Sequence, residues 1–243
     1  MQMHSDAQIG QCWKDFADVV SAGISRVLLY GPPGTGKTYA ALHFGSSSSM
    51  AERLVCTEDL TTGEITGTWM PTGEGSWSWH EGPAIRAWKD NGGLGGRLVV
   101  DEVDRASGDA LSTLLAVTDS MESARWRNPE NGEWVSPGPE FSVIMTTNVE
   151  DLAAIPPALR DRFAVAIRID RPHRDALELL SEDLRHAALA SSIAEGPRRL
   201  SLRSFYAFDQ LRLRLGPDRA ARIIFGDDRA ESVLDALRIR ALE

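Results

Sequence analysis

Residues 31–38 read Gly-Pro-Pro-Gly-Thr-Gly-Lys-Thr and fill the pattern G-x-x-x-x-G-K-[ST] at every position. No other stretch limits the fold so sharply. The pattern works as a phosphate cradle only when a strand delivers the chain into the loop and a helix carries it away, so that phosphates sit on free N–H groups at the positive end of a helix. Arg26-Val-Leu-Leu-Tyr30 is the expected buried strand and Thr38-Tyr-Ala-Ala-Leu-His-Phe44 the expected helix. The glycines let backbone N–H groups converge without a Cβ in the way. Lys37 offers a point charge to the β- and γ-phosphates, and the Thr38 hydroxyl can bind Mg²⁺. Gly31, Pro33, Gly34, Thr35, Gly36, Lys37 and Thr38 are therefore the candidate contacts to ATP. Lysine is otherwise scarce: only Lys14 and Lys89 accompany Lys37.

The alternation continues beyond the loop. Residues 53–57, 97–101, 141–147 and 163–169 are apolar runs that read as further strands. Residues 83–90 and 107–119 read as helices, with Asn91-Gly92 a stop for the first and Ser107 a cap for the second. Ser46-Ser-Ser-Ser49 reads as a solvated loop. Residues 61–82 and 122–140 carry turn chemistry and Trp69, Trp77, Trp79, Trp126 and Trp134, and read as two β-hairpins. These tryptophans are either packing residues or anchors for a partner or pore. From Pro172 on the pattern is helical, with amphipathic stretches at 173–188, 201–213, 217–225 and 228–242. The expected architecture is a parallel α/β P-loop core over residues 1–171 with two hairpin insertions, followed by a helical lid over 172–243.

Composition narrows the function. A net charge of −9 and a pI near 5.1 argue against a general nucleic-acid or membrane surface. Cys12 and Cys56 lack metal-ligand spacing and read as reduced structural thiols. The N-terminal Met1–Asp6 is polar, and no apolar run has the length of a membrane span. A cytoplasmic location is expected.

The second chemical signal is Leu98-Val-Val-Asp101-Glu102, an apolar strand closing on two acids. Phosphoryl transfer needs a carboxylate near the metal and a group that activates water. Asp101 suits the Mg²⁺ shell and Glu102 the base.

With these residues in place, the chain resembles the AAA+ ATPases over about residues 26–205, and within them the MoxR branch and the dynein-related group. The resemblance rests on the P-loop, Thr57-Glu-Asp-Leu60 with Glu64-Ile-Thr-Gly67, and Glu81-Gly-Pro-Ala84. It also rests on Asp101-Glu-Val-Asp-Arg-Ala106, Thr146-Thr-Asn148 and Ile155-Pro-Pro-Ala-Leu-Arg-Asp-Arg-Phe163. Val149 stands where a proline is usual and Asp104 where an asparagine is common.

The resemblance implies a homo-hexameric ring with ATP between subunits. Asn148 would be the polar sensor that aligns the attacking water, or else a turn residue ending a strand. Arg162 would be the arginine finger reaching a neighbour's γ-phosphate, with Arg160 the alternative two residues away. Arg203 would be the lid arginine. Arg105 reads as an interface residue or a charge flanking a helix. The implied activity is ATP hydrolysis that remodels or matures a partner protein, in this family often one with a von Willebrand A domain. A slow nucleotide-dependent assembly switch or scaffold, and a DNA-handling motor, are the alternatives; the acidic balance counts against the latter.

Overall fold

The computed structural model describes residues 10–45, 51–73, 75–194, 196 and 199–240. The expected loop at residues 46–49, the polar N-terminal residues and residues 241–242 of the expected stretch 228–242 lie outside them. The chain divides into two compact units. Asp15–Gly31 with Lys37–Arg168 form an α/β unit, and residues 10–14, Pro32–Gly36 and residues 169–240 form a helical one.

Five parallel strands make the sheet of the α/β unit: β1 (Arg26–Tyr30), β2 (Glu52–Val55), β5 (Arg97–Asp101), β8 (Ser142–Thr146) and β9 (Val165–Arg168). Their order is β2-β5-β8-β1-β9. The inner strands are continuous apolar runs because both faces are covered. Leu29, Leu98, Val99, Val100 and Met145 are fully buried. Helices α2 (Lys37–His43), α4 (Pro83–Gly93), α5 (Gly108–Val117) and α6 (Pro157–Arg162) belong to the same unit. Within α4 the helical backbone gives way at Asp90, and Asn91 and Gly92 take positive φ angles of 53° and 68°, the stop expected from Asn-Gly.

Three elements of the α/β part and its N-terminal helix differ from the sequence reading. Helix α1 (Gln11–Ser21) was not expected, although Trp13 and Phe16 sit buried on one face of it. The segment taken as one hairpin from residue 61 begins with a short helix, α3 (Thr62–Thr66). It is closed by a capping box in which the Thr61 side chain accepts from the Glu64 N–H and Glu64 accepts from the Thr61 N–H. The hairpin proper is β3 (Gly67–Gly73) paired with β4 (Ser76–Glu81). The second hairpin is smaller than expected: β6 (Trp126–Arg127) and β7 (Trp134–Val135) pair over two residues each.

Trp69 and Trp79 face each other across the first hairpin, with ring centroids 5.7 Å apart, and Trp126 of the second hairpin lies 5.8 Å from Trp79. Trp79 is a packing residue. Trp77, 61% exposed, is not.

The helical unit holds α7 (Arg174–Glu178), α8 (Glu182–Ile193), α9 (Leu202–Leu215), α10 (Pro217–Phe225) and α11 (Asp227–Arg240). Leu184, Phe205, Phe208, Ala220, Ala221 and Phe225 form its core. The single helix expected over 173–188 is two. The chain turns at Ser181, whose N–H donates to Asp209 on α9 at 2.8 Å.

Candidate nucleotide site

Because the sheet is parallel, β1, β5 and β8 end on the same edge, and their C-terminal residues meet there. The register sets Leu29 beside Thr146 and Val100 beside Met145. This brings the end of β1, the acids closing β5 and the polar segment closing β8 together. Lys37, Thr38, Asp101, Glu102 and Asn148, read from three separate motifs, become neighbours.

The loop leaving β1 takes backbone angles that ordinary residues avoid. Gly31, Gly34 and Gly36 have φ of 125°, 78° and 97°. A Cβ on Gly34 would lie 2.7 Å from the Ser201 Cβ, within the same unit. Thr35 is buried, with its hydroxyl donating to the Pro32 carbonyl at 3.1 Å, while Pro33 is exposed. Lys37 is 5% exposed and its Nζ donates to the Gly31 carbonyl at 2.8 Å and to Asn148 Oδ1 at 3.1 Å. A buried ammonium keeps its charge only with such partners. Both of these partners are neutral oxygens.

Asp101 is the most heavily engaged group. Its Oδ1 accepts from Thr38 Oγ1 at 2.8 Å and from Thr146 Oγ1, and its Oδ2 accepts from Arg53 Nη2 at 2.6 Å. Burial pushes its carboxyl up, but the hydrogen bonds from Thr146, Arg53 and Thr38, with the charge of Arg53, outweigh it and hold the group below the usual carboxylate range. Asp101 is therefore ionised. Thr38 spends its proton on that carboxylate and keeps lone pairs for a cation. This all-oxygen pair fits Mg²⁺, which takes few protein ligands and completes its shell with phosphate and water. Among the described residues no group of three or more His, Cys, Asp and Glu could hold a metal without such help.

Glu102 follows in the left-handed region, φ 55° and ψ 45°, one of two non-glycine residues so placed among those described. Such strain in a non-glycine residue clusters at functional sites. Its Oε1 lies 3.5 Å from Asn148 Nδ2, and its Oε2 pairs with Arg105 Nε at 2.8 Å. Asn148 thus links Lys37 through its carbonyl to Glu102 through its amide. Asp104, the unusual residue of this segment, accepts from Thr147 Oγ1 at 2.6 Å and ties the end of β8 to the turn after β5. Cys56 is buried, and its thiol is pushed up to about 12 by that burial, with Asp101, Asp104 and Glu102 adding to it. It is inert at neutral pH.

Three expected residues are not part of this network. Arg162, at the end of α6, pairs with Asp119 at 3.3 Å, and Arg160 is exposed on the same helix. Arg203 is exposed in the first turn of α9, two residues after its cap Ser201. Sequence reasoning assigned no role to Arg53. Its one visible signal was a cation inside a short strand, and only the pairing of β2 with β5 reveals its partner.

No curated protein matches the sequence. Among solved structures, the chain is similar to NtrX from Brucella abortus. The identity is 18% and the TM-score 0.54, over 87% of this chain and 50% of that one. A "putative ATPase" from Cytophaga hutchinsonii is 21% identical over 69% of this chain and 48% of that one, with a TM-score of 0.48. The chain spans about half the length of each. The likeness to NtrX extends to the fold. No helix among the described residues is long and apolar enough to cross a membrane. Residues 26–163, more than half of the chain, match the AAA domain (dynein-related subfamily), and the chain belongs to that family.

Proposed function

We propose that this chain is a Mg²⁺-dependent AAA+ ATPase of the MoxR-like type that hydrolyses ATP at the interfaces of a homo-hexameric ring and uses the cycle to remodel or mature a partner protein. The observation that carries the reading is the convergence of Lys37, Thr38, Asp101, Glu102 and Asn148 at one sheet edge. In this reading Lys37 and the backbone of residues 31–38 hold the β- and γ-phosphates. Thr38 and Asp101 hold Mg²⁺, which when bound neutralises charge on the phosphate oxygens. Glu102 accepts a proton from water as its oxygen attacks the γ-phosphorus. The bond to the β–γ bridging oxygen breaks, and ADP leaves with that electron pair. Asn148 orients the water. Arg162, or Arg160, reaches a neighbour's γ-phosphate and stabilises charge there. Arg203 is the candidate lid arginine for the nucleotide. The partner is a protein, with a von Willebrand A domain as the candidate type.

The pairing of Glu102 with Arg105 favours a second reading, an assembly switch with slow turnover, because the base is engaged within its own chain. Phosphate release by the purified chain tests the proposal. Release should require Mg²⁺ and vanish in Lys37→Ala together with ATP binding. Binding of ATP without measurable release, alone or with candidate partners, would leave the switch. Release unchanged in Lys37→Ala would contradict both readings.

A further inference from the structure

Arg53 lies on β2, the edge strand next to β5, in a register that pairs Val55 with Asp101. Side chains two apart share a face of a strand, so Arg53 and Asp101 project to the same side of the sheet. The Arg53 side chain is 47% exposed, whereas that of Asp101 is 8% exposed. A half-solvated arm thus reaches down to a covered carboxylate and takes Oδ2 at 2.6 Å, the oxygen that Thr38 and Thr146 leave open. Packing of the sheet does not require this contact, because the residues around Asp101 on β5 are held by their own apolar burial. Guanidinium cannot give up its proton at any accessible pH, so its charge always competes for this oxygen.

We infer that Arg53 is a resident cation of the nucleotide site. It neutralises Asp101 when no metal is bound, competes with Mg²⁺ for that carboxylate, and so sets the Mg²⁺ concentration at which the chain holds nucleotide. The inference rests on the Mg²⁺–nucleotide reading above and adds a regulating residue to it. Arg53 acts through Asp101 and has no part in the chemical step. Without it, Asp101 would stand beside Glu102 with two hydroxyls for company, a stronger attractor for a divalent ion.

The test is equilibrium binding of a fluorescent ATP analogue to the full chain during a Mg²⁺ titration, starting from chelated metal. Arg53→Gln should lower the Mg²⁺ midpoint by roughly three- to tenfold, the range for a charge-assisted contact with one partly solvated partner. Affinity at saturating Mg²⁺ should be unchanged. Arg53→Lys, which keeps the charge, should stay near the parent midpoint. Arg53→Met carries the same expectation as the glutamine variant if the latter does not fold. An unmoved midpoint would overturn the inference, as would a loss of affinity at saturating Mg²⁺, which would make Arg53 a phosphate contact. A parent that binds no nucleotide at any Mg²⁺ concentration would sink the nucleotide reading and this one with it. A parent that binds but shows no difference from Arg53→Gln sinks only the role of Arg53.

Discussion

Thr146→Val isolates the charge at the centre of the site. Valine keeps the shape of threonine and the β-branching that β8 favours, and removes one hydroxyl. Thr146 is 2% exposed and Asp101 6%, so water does not replace the lost donor. A hydrogen bond to a charged group contributes about 1.5–3 kcal/mol. Thr38 and Arg53 remain on the carboxylate, which places the expected loss at the lower end, about 1.5–2 kcal/mol. Loss of that donor raises the Asp101 carboxyl back toward the usual carboxylate range.

The sign follows from linkage. Asp101 is held below the usual range, so its contribution is fully present above the unfolded-state value near 3.9 and is lost as pH falls through the folded-state value. The deficit of Thr146→Val should therefore be full at about pH 7 and shrink below about pH 4 as the carboxyl protonates. Urea unfolding followed by tryptophan fluorescence measures it. Of the seven tryptophans only Trp13 lies outside the α/β unit, so the signal reports the unit that carries Thr146. Thr146→Ser should restore most of the stability. An equal deficit at both pH values would refute the reasoning, because it would trace the loss to packing. So would a loss below about 0.5 kcal/mol at neutral pH, the size of an ordinary surface change.

Two further outcomes test the proposed function and the roles of the tryptophans. Arg162→Ala and Lys37→Ala proteins should each lack ATPase activity, and their mixture should recover part of it. Activity retained by Arg162→Ala, with loss in Arg160→Ala, would move the trans role to the exposed arginine. Trp77→Ser should leave stability and basal ATPase intact and weaken partner capture. Trp79→Ser, which removes a ring packed on Trp69 and Trp126, should lower stability by on the order of 2 kcal/mol in urea unfolding. Equal effects of the two on stability would contradict this division of roles.

The sheet was legible because parallel strands buried on both faces appear as short apolar runs with charged or polar ends, as at residues 26–30 and 97–101. The helices showed their limits. Helix α1 has only Trp13 and Phe16 as large buried residues, too few to make a period against its polar neighbours. In α3 the capping box Thr61-x-x-Glu64 was present in the sequence, but glycine and threonine around it suggested strand and turn. At the break the Ser181 N–H donates to Asp209, 28 residues away, and such a contact leaves no local trace.

The site divides in the same way. Lys37, Thr38, Asp101, Glu102 and Asn148 belong to contiguous motifs whose spacing carries the chemistry. Arg53 and Asp119 acquire their partners only through strand register and helix placement, so the competition at Asp101 and the pairing of Arg162 had no sequence signature. The tryptophans show the same limit. Trp77 and Trp79 share a strand and a face, yet cross-strand neighbours decide which is packed.

The central claim is that Lys37 serves binding and Glu102 serves hydrolysis within one site. Glu102→Gln separates them most directly, since it keeps the size and hydrogen-bonding reach of the side chain and removes the base. Measured side by side, ATP binding and phosphate release should part: binding at the parent affinity, and release lower by about two orders of magnitude or more, the range for loss of a general base. Phosphate release from Glu102→Gln at the parent rate would contradict the account.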